Sequence, residues 1–191
     1  MRTLIYIPRM YSRNEFERLA SKVPEDFEER SNEYWDYVEE KLGPLMKLRR
    51  IHKVYHESLC ESGDEGLKTL SSFDKRNYSI VKKLIESGAE LQTTEDRLLI
   101  AETKEWFEQS KSNPLLLELY EESMRERSEH IARIIDQTLK DGETGAIFVD
   151  SELKINLPGD IRVIRMCRFD PSDYLNVWLR TLELRNSSGD K

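Results

Sequence analysis

The stretch IHKVYHESLC, residues 51–60, sets two histidines four apart and a cysteine four further on. Imidazole and thiolate are zinc ligands, and a zinc site needs four ligands, or three and a water. Wound at 3.6 residues per turn, His52 and His56 share a stripe with Val38, Leu45, Leu48, Tyr55 and Leu59. A packed helix face accounts for this better than a metal site, because Cys60 lies at the rim and no fourth donor has suitable spacing. Arg127 poses a sharper question. It falls within the apolar stripe Leu116, Tyr120, Met124, Ile131 and Ile135, and arginine cannot shed its proton on entering a core. Such a guanidinium needs a carboxylate, an anionic ligand or a path to water. A structural salt bridge and an anion anchor both satisfy it.

The elements that must position these groups follow from pattern. TLIYIP, residues 3–8, is a short apolar run closed by proline, the form of a strand buried on both faces. A helix is expected from about Phe27 to Leu59, interrupted at Gly43 and Pro44. YSIVKKLIESGAEL reads as a helix ended by Gly88, then a weak strand over Ala89–Leu91. A further helix starts within TTEDRLLIAETKEWFEQS. The segment from Asn113 to Gly142 is the clearest helix, with a cap at Asn113 and proline first. GAIFVD and DIRVIRM read as two more strands, and PSDYLNVWLRTLEL as a last helix. The expectation is therefore an α/β fold: a small, mostly parallel sheet of about four strands flanked by long helices, forming a single domain over 1–185 with a disordered tail at 186–191.

Open parallel sheets bind ligands outside the carboxyl ends of their strands. Those ends carry Arg9 and Tyr11, then Glu95, then Asp150 and Glu152. Arg9, Tyr11 and Arg127 are the candidate ligand-binding residues. Asp150 and Glu152 are candidate ligands for a divalent metal such as Mg²⁺, Mn²⁺ or Zn²⁺. Glu57, Glu90 and Glu95 are candidate general bases, and Arg127 could stabilise developing negative charge. Glu90 lies inside the weak strand, where an acid needs a partner, and Arg127 is the expected one.

LIYIP with its charged and aromatic loop, GAEL with TED behind it, and the helix ERSEHIARIIDQTLKDGETGAIFV leading into a strand together resemble the TraB/PrgY, Tiki, ChaN-like and erythromycin-esterase-like superfamily. The resemblance spans residues 3–166, and in it Arg127 matches an arginine that faces the pocket. It implies the layered fold and a metal-dependent hydrolase or a ligand-binding relative. The family's histidines after the first strand and before LP are missing, since PRMYSRNE and VDSELKINLP stand there.

Composition narrows the classes further. The chain has 191 residues and a formal charge of −7, with 35% charged residues. That balance argues against nucleic acid as a partner. There is no apolar run long enough for a membrane span and no signal-peptide pattern, so a cytoplasmic address is expected, with Cys60 and Cys167 reduced. GxSxG, GxxxxGK and GxGxxG are all absent. A small-molecule or peptide substrate is the partner expected of a hydrolase. The competing expectation is a non-catalytic protein whose helix faces, anchored by Trp35, Trp106 and Trp178, bind a partner or form a homo-oligomer.

Overall fold

The computed structural model of the chain describes residues 1–188, with side chains as far as Arg185. Strands β1 (Arg2–Pro8), β2 (Lys53–His56), β3 (Glu90–Leu91), β4 (Thr144–Val149) and β5 (Ile161–Arg165) form one parallel sheet in the order β3-β2-β4-β1-β5. The fold is α/β, with one strand more than the sequence reading, because β2 lies inside the stretch read as helix. Around it stand α1 (Arg13–Ala20), α2 (Phe27–Lys47), α3 (Gly63–Phe73), α4 (Lys75–Glu86), α5 (Arg97–Ser110), α6 (Leu117–Thr138) and α7 (Pro171–Ser188). The tail expected at 186–191 is helical to Ser188, and residues 189–191 lie outside the described residues.

Alternation along the strands builds two cores. Ile5, Ile7, Ala146 and Phe148 face α1, α2, α3, α4 and α7, meeting Phe16, Tyr34, Leu70, Ile80 and Leu175. Leu4, Ile147 and Val149 face the other way, onto Ile131 and Ile135 of α6. Successive side chains of a strand point to opposite faces, so the continuous apolar runs of β1 and β4 serve both layers. Trp35 belongs to the first core at 3% exposure. Trp178 donates its indole N–H to the Lys22 carbonyl at 2.8 Å, and Trp106 donates to Glu102 at 3.3 Å.

Helix α2 runs through Gly43 and Pro44 and stops one turn later, where Arg49 takes the left-handed φ of 50°. Four residues on, at Lys53, the chain is a strand. His52 and His56 therefore stand at opposite ends of β2, about 13 Å apart at 3.3 Å per residue. His52 Nδ1 accepts the Thr144 N–H at 3.0 Å. His56 is buried against Phe148, its ring centroid 6.0 Å away, with Nδ1 donating to the Glu57 carbonyl. Neither the shared helix face nor a His52/His56/Cys60 metal site exists in this geometry.

Gly145 sets how closely the layers approach. A Cβ there would lie 3.0 Å from Tyr55 Cε2, 3.2 Å from Leu4 Cδ1 and 3.3 Å from Leu139 Cδ1. Gly145→Val is expected to destabilise the fold by about 1–3 kcal/mol through overpacking. The check is a lowered urea midpoint at constant slope, and an unchanged midpoint would show that the end of α6 yields freely.

Among the described residues no helix is long and apolar enough to cross a membrane.

Candidate functional site

β1 and β4 lie side by side, but β1 leads toward β2 and β4 leads across to β5. Such a divergence opens a crevice at the carboxyl ends of the strands. The crevice has two lobes that share Arg9, Tyr11, Leu19, Lys104, Phe107 and Asp150. The inner lobe, about 360 Å³, reaches Glu57, Ser58, Arg127 and Glu152. The outer lobe, about 430 Å³, opens past Glu15 and Arg18. A larger groove of about 590 Å³ runs between α7 and residues 22–26, but no buried charged group lines it.

Arg9 is the hub of the floor. Its side chain is 9% exposed and its Nε donates to Glu57 Oε1 at 2.7 Å, while Nη1 and Nη2 reach Glu15 at 2.9 Å. Asp74 lies 3.9 Å from Nη1. Glu15 is placed there by the Ser12/Glu15 capping box that starts α1. The second oxygen of Glu57 accepts the Asp150 N–H at 2.8 Å, which ties the end of β2 to the end of β4. Burial works against the Glu57 charge, but Arg9 and the Asp150 N–H hold its carboxyl below the usual range.

Asp150 goes the other way. Burial, then the charge of Glu57, pushes its carboxyl up to about 6, although the Glu152 N–H bonds Oδ1 at 2.9 Å. Burial, then the Asp150 charge, likewise raises the phenol of Tyr11, keeping it protonated. Two carboxylates with opposed environments at one cavity are the usual arrangement for dividing acid and base roles.

Arg127 is paired with Glu95, not with Glu90. Its Nε donates to Glu95 Oε2 at 3.1 Å and Nη2 donates to Oε1, on a carboxylate whose side chain is fully buried. Glu90 lies on the exposed face of edge strand β3, bonded to Lys53 of β2, its register partner. It stands outside the crevice, so the expected Arg127–Glu90 pair is corrected to Arg127–Glu95. The two-residue β3 ends at Leu91, and the loop after it carries Glu95 under α6, where its N–H bonds the Leu59 carbonyl at 3.0 Å. Among the described residues the remaining Arg127 nitrogen, Nη1, has only the Met124 sulfur as acceptor, at 3.7 Å.

Of the residues singled out by sequence, Arg9, Tyr11, Glu57, Arg127, Asp150 and Glu152 thus line one crevice. Glu95 stands behind Arg127. Residues that the sequence reading passed over include Ser58, in the left-handed region at φ 67° immediately after Glu57, and Lys104 and Phe107, while Tyr120 was read there only as part of an apolar stripe. The rings of Phe107 and Tyr120 pack 5.4 Å apart across α5 and α6. The capping pattern SRNE was the legible signal for Glu15; nothing comparable marks Ser58.

The donor set does not fit a resident divalent cation. Among the described residues no group of three or more His, Cys, Asp or Glu side chains gathers as a metal site. Both oxygens of Glu57 and of Glu95 are already taken by N–H donors. Asp150 and Glu152 remain as a pair.

No family model, curated protein or solved structure matches this chain, so the geometry of the crevice carries the functional argument by itself.

Proposed function

We propose that the inner lobe is an acid–base site that hydrolyses a bond in a small-molecule or peptide substrate, with Asp150 as the proton carrier. The observation that carries this reading is Asp150 itself, a carboxyl raised to about 6 beside a buried, ionised Glu57 at the strand ends. A general acid or base works best when its pKa lies near the working pH. Asp150 takes a proton from water and returns it to the leaving group. Glu57 is a positioning residue: its charge keeps Asp150 basic, and its bond to the Asp150 N–H fixes the loop. Arg9 holds Glu57 in turn. Arg127 Nη1, lacking an oxygen partner, is the donor available to an oxygen that gains negative charge. This reading keeps the hydrolase that the TraB-like resemblance implies and routes no step through a metal.

Rates on a panel of p-nitrophenyl esters, p-nitrophenyl phosphate and a p-nitroanilide peptide, from pH 4 to 9, test it. An inflection near pH 6 is expected for wild type. Glu57→Gln removes the neighbouring charge that raises Asp150, so the inflection should move to lower pH. No turnover on any member, or an inflection that ignores Glu57→Gln, would leave the crevice as a binding pocket without acid–base chemistry.

A further inference from the structure

The outer lobe contains four cations and three acids, and they do not cancel by pairing. Arg9 is held by Glu57 and Glu15. Lys111 is held by Glu108 at 2.8 Å and lies over the Phe107 ring, 4.4 Å from its centroid. Arg18 of α1 and Lys104 of α5 line the same lobe, and among the described residues neither has an ion-pair or hydrogen-bond partner. Asp150 makes no ion pair among the described residues, and like Lys104 it lines both lobes. Leu19 and Phe107 line the same lobe and give it apolar surface. Leu19 is 43% exposed on a helix surface that would otherwise favour a polar residue.

In a chain of net charge −7, an anionic ligand is repelled by most of the surface. Two unneutralised cations lining the crevice oppose that field locally, and a cleft with low-dielectric walls concentrates such an effect. Guanidinium and ammonium both suit oxyanions, the first by bidentate contact and the second as a point charge.

The geometry points to an anion subsite in the outer lobe, where Arg18 and Lys104 receive a phosphate or carboxylate group borne on an apolar or aromatic body that lies along Leu19 and Phe107. Bound this way, the ligand extends from its anionic end toward Asp150, and the part beyond it enters the inner lobe beside Tyr120 and Met124. The assignment of Asp150 as proton carrier tells which end is acted on, and to that extent the substrate class rests on the preceding reading. Binding of the anion does not.

The test is a ¹⁵N-HSQC titration of the full chain at pH 7.5 in low salt with phenyl phosphate, benzoate and neutral benzyl alcohol. Phenyl phosphate, benzoate or both should shift the amides around Leu19, Lys104 and Phe107, and benzyl alcohol should bind at least about tenfold more weakly. Which of the two anions binds more tightly distinguishes a phosphate from a carboxylate ligand. The double variant Arg18→Gln/Lys104→Gln alters only exposed, unpaired side chains, and its fold is checked by circular dichroism. It should weaken anion binding about tenfold and erase the preference over benzyl alcohol. Equal affinity for charged and neutral probes, an unchanged preference in the double variant, or no binding by either anion would overturn the subsite. Anion binding by the wild type and by Asp150→Asn, with no turnover of any hydrolase substrate by the wild type, supports the subsite and removes the acid–base reading. Turnover without an anion preference does the reverse.

Discussion

Asp150→Asn is expected to lower kcat at pH 7 by about 10²- to 10⁴-fold with little change in KM, the range lost when a positioned proton carrier is removed. Asn keeps the size and the hydrogen bond to the Glu152 N–H, which reaches Asp150 Oδ1 at 2.9 Å, so a loss of rate isolates the proton. The same change carries a signature of opposite sign in stability. The Asp150 carboxyl is raised in the folded state by burial and then by Glu57. Its protonated form is therefore the one favoured by folding. That contribution is complete below the unfolded carboxyl value near 4 and is lost as pH rises through about 6. Above pH 6 the wild type holds an unfavourable buried charge, and Asp150→Asn should be the more stable protein by on the order of 1–3 kcal/mol. At pH 4 the difference should shrink toward zero. Chemical denaturation at pH 4 and 8, beside the rate assay, measures both effects. A variant that loses rate and also stability at pH 8 would mark Asp150 as structural instead.

Arg9→Met should destabilise the protein by about 3–5 kcal/mol at pH 7, because it leaves buried carboxylates without their cation. The side chains of Glu57 and Asp74 are only 6% and 8% exposed; Glu57 bonds this guanidinium directly, and Asp74, which also accepts from Asn77, lies 3.9 Å from it. In the wild type, Arg9 helps hold Glu57 below its usual value and takes Glu15 down to about 2, against the opposing pull of burial. Lowered carboxyls stabilise the fold above their unfolded values near 4.5, and that stability disappears as pH falls toward 2. The penalty of Arg9→Met should thus be greatest at neutral pH and should diminish on acidification through pH 4. Adding Glu57→Gln removes one of the stranded charges and should recover part of the loss. An equal penalty at pH 7 and pH 4, or a double variant no better than the single, would show that Arg9 acts by packing alone.

The two lesions differ because Asp150 and Glu57 occupy one cavity in opposite electrical states. Glu57 is buried with its counter-ion and is held ionised. Asp150 is half-buried beside a like charge, and its carboxyl is raised to about 6. Function drawn from such a pair costs stability at the site, and the pH dependence above is where that cost becomes visible.

Local pattern was sufficient for β1 and β4, whose apolar runs LIYI and AIFV are buried on both faces, and for α6, whose stripe of Ile131 and Ile135 meets the sheet. It also placed Arg9, Tyr11, Asp150 and Glu152 beyond strand ends, since parallel strands put all their carboxyl ends on one edge. It failed between residues 48 and 56. Spacing of four is shared by a helix face and by one face of a strand, so the histidines could not report which was present. The left-handed turn at Arg49 decided it.

What the sequence determined by itself was the layered α/β architecture and the edge at which polar groups collect, because periodicity and strand polarity are local properties of the chain. Tertiary structure alone decided the partners: Arg127 with Glu95 and not Glu90, Arg9 with Glu57, and Asp150 beside the like charge of Glu57. The two ion pairs join residues 32 and 48 positions apart, and Glu57 and Asp150 are 93 apart. Charge compensation depends on distance and burial in space, and neither is written in the order of residues along the chain.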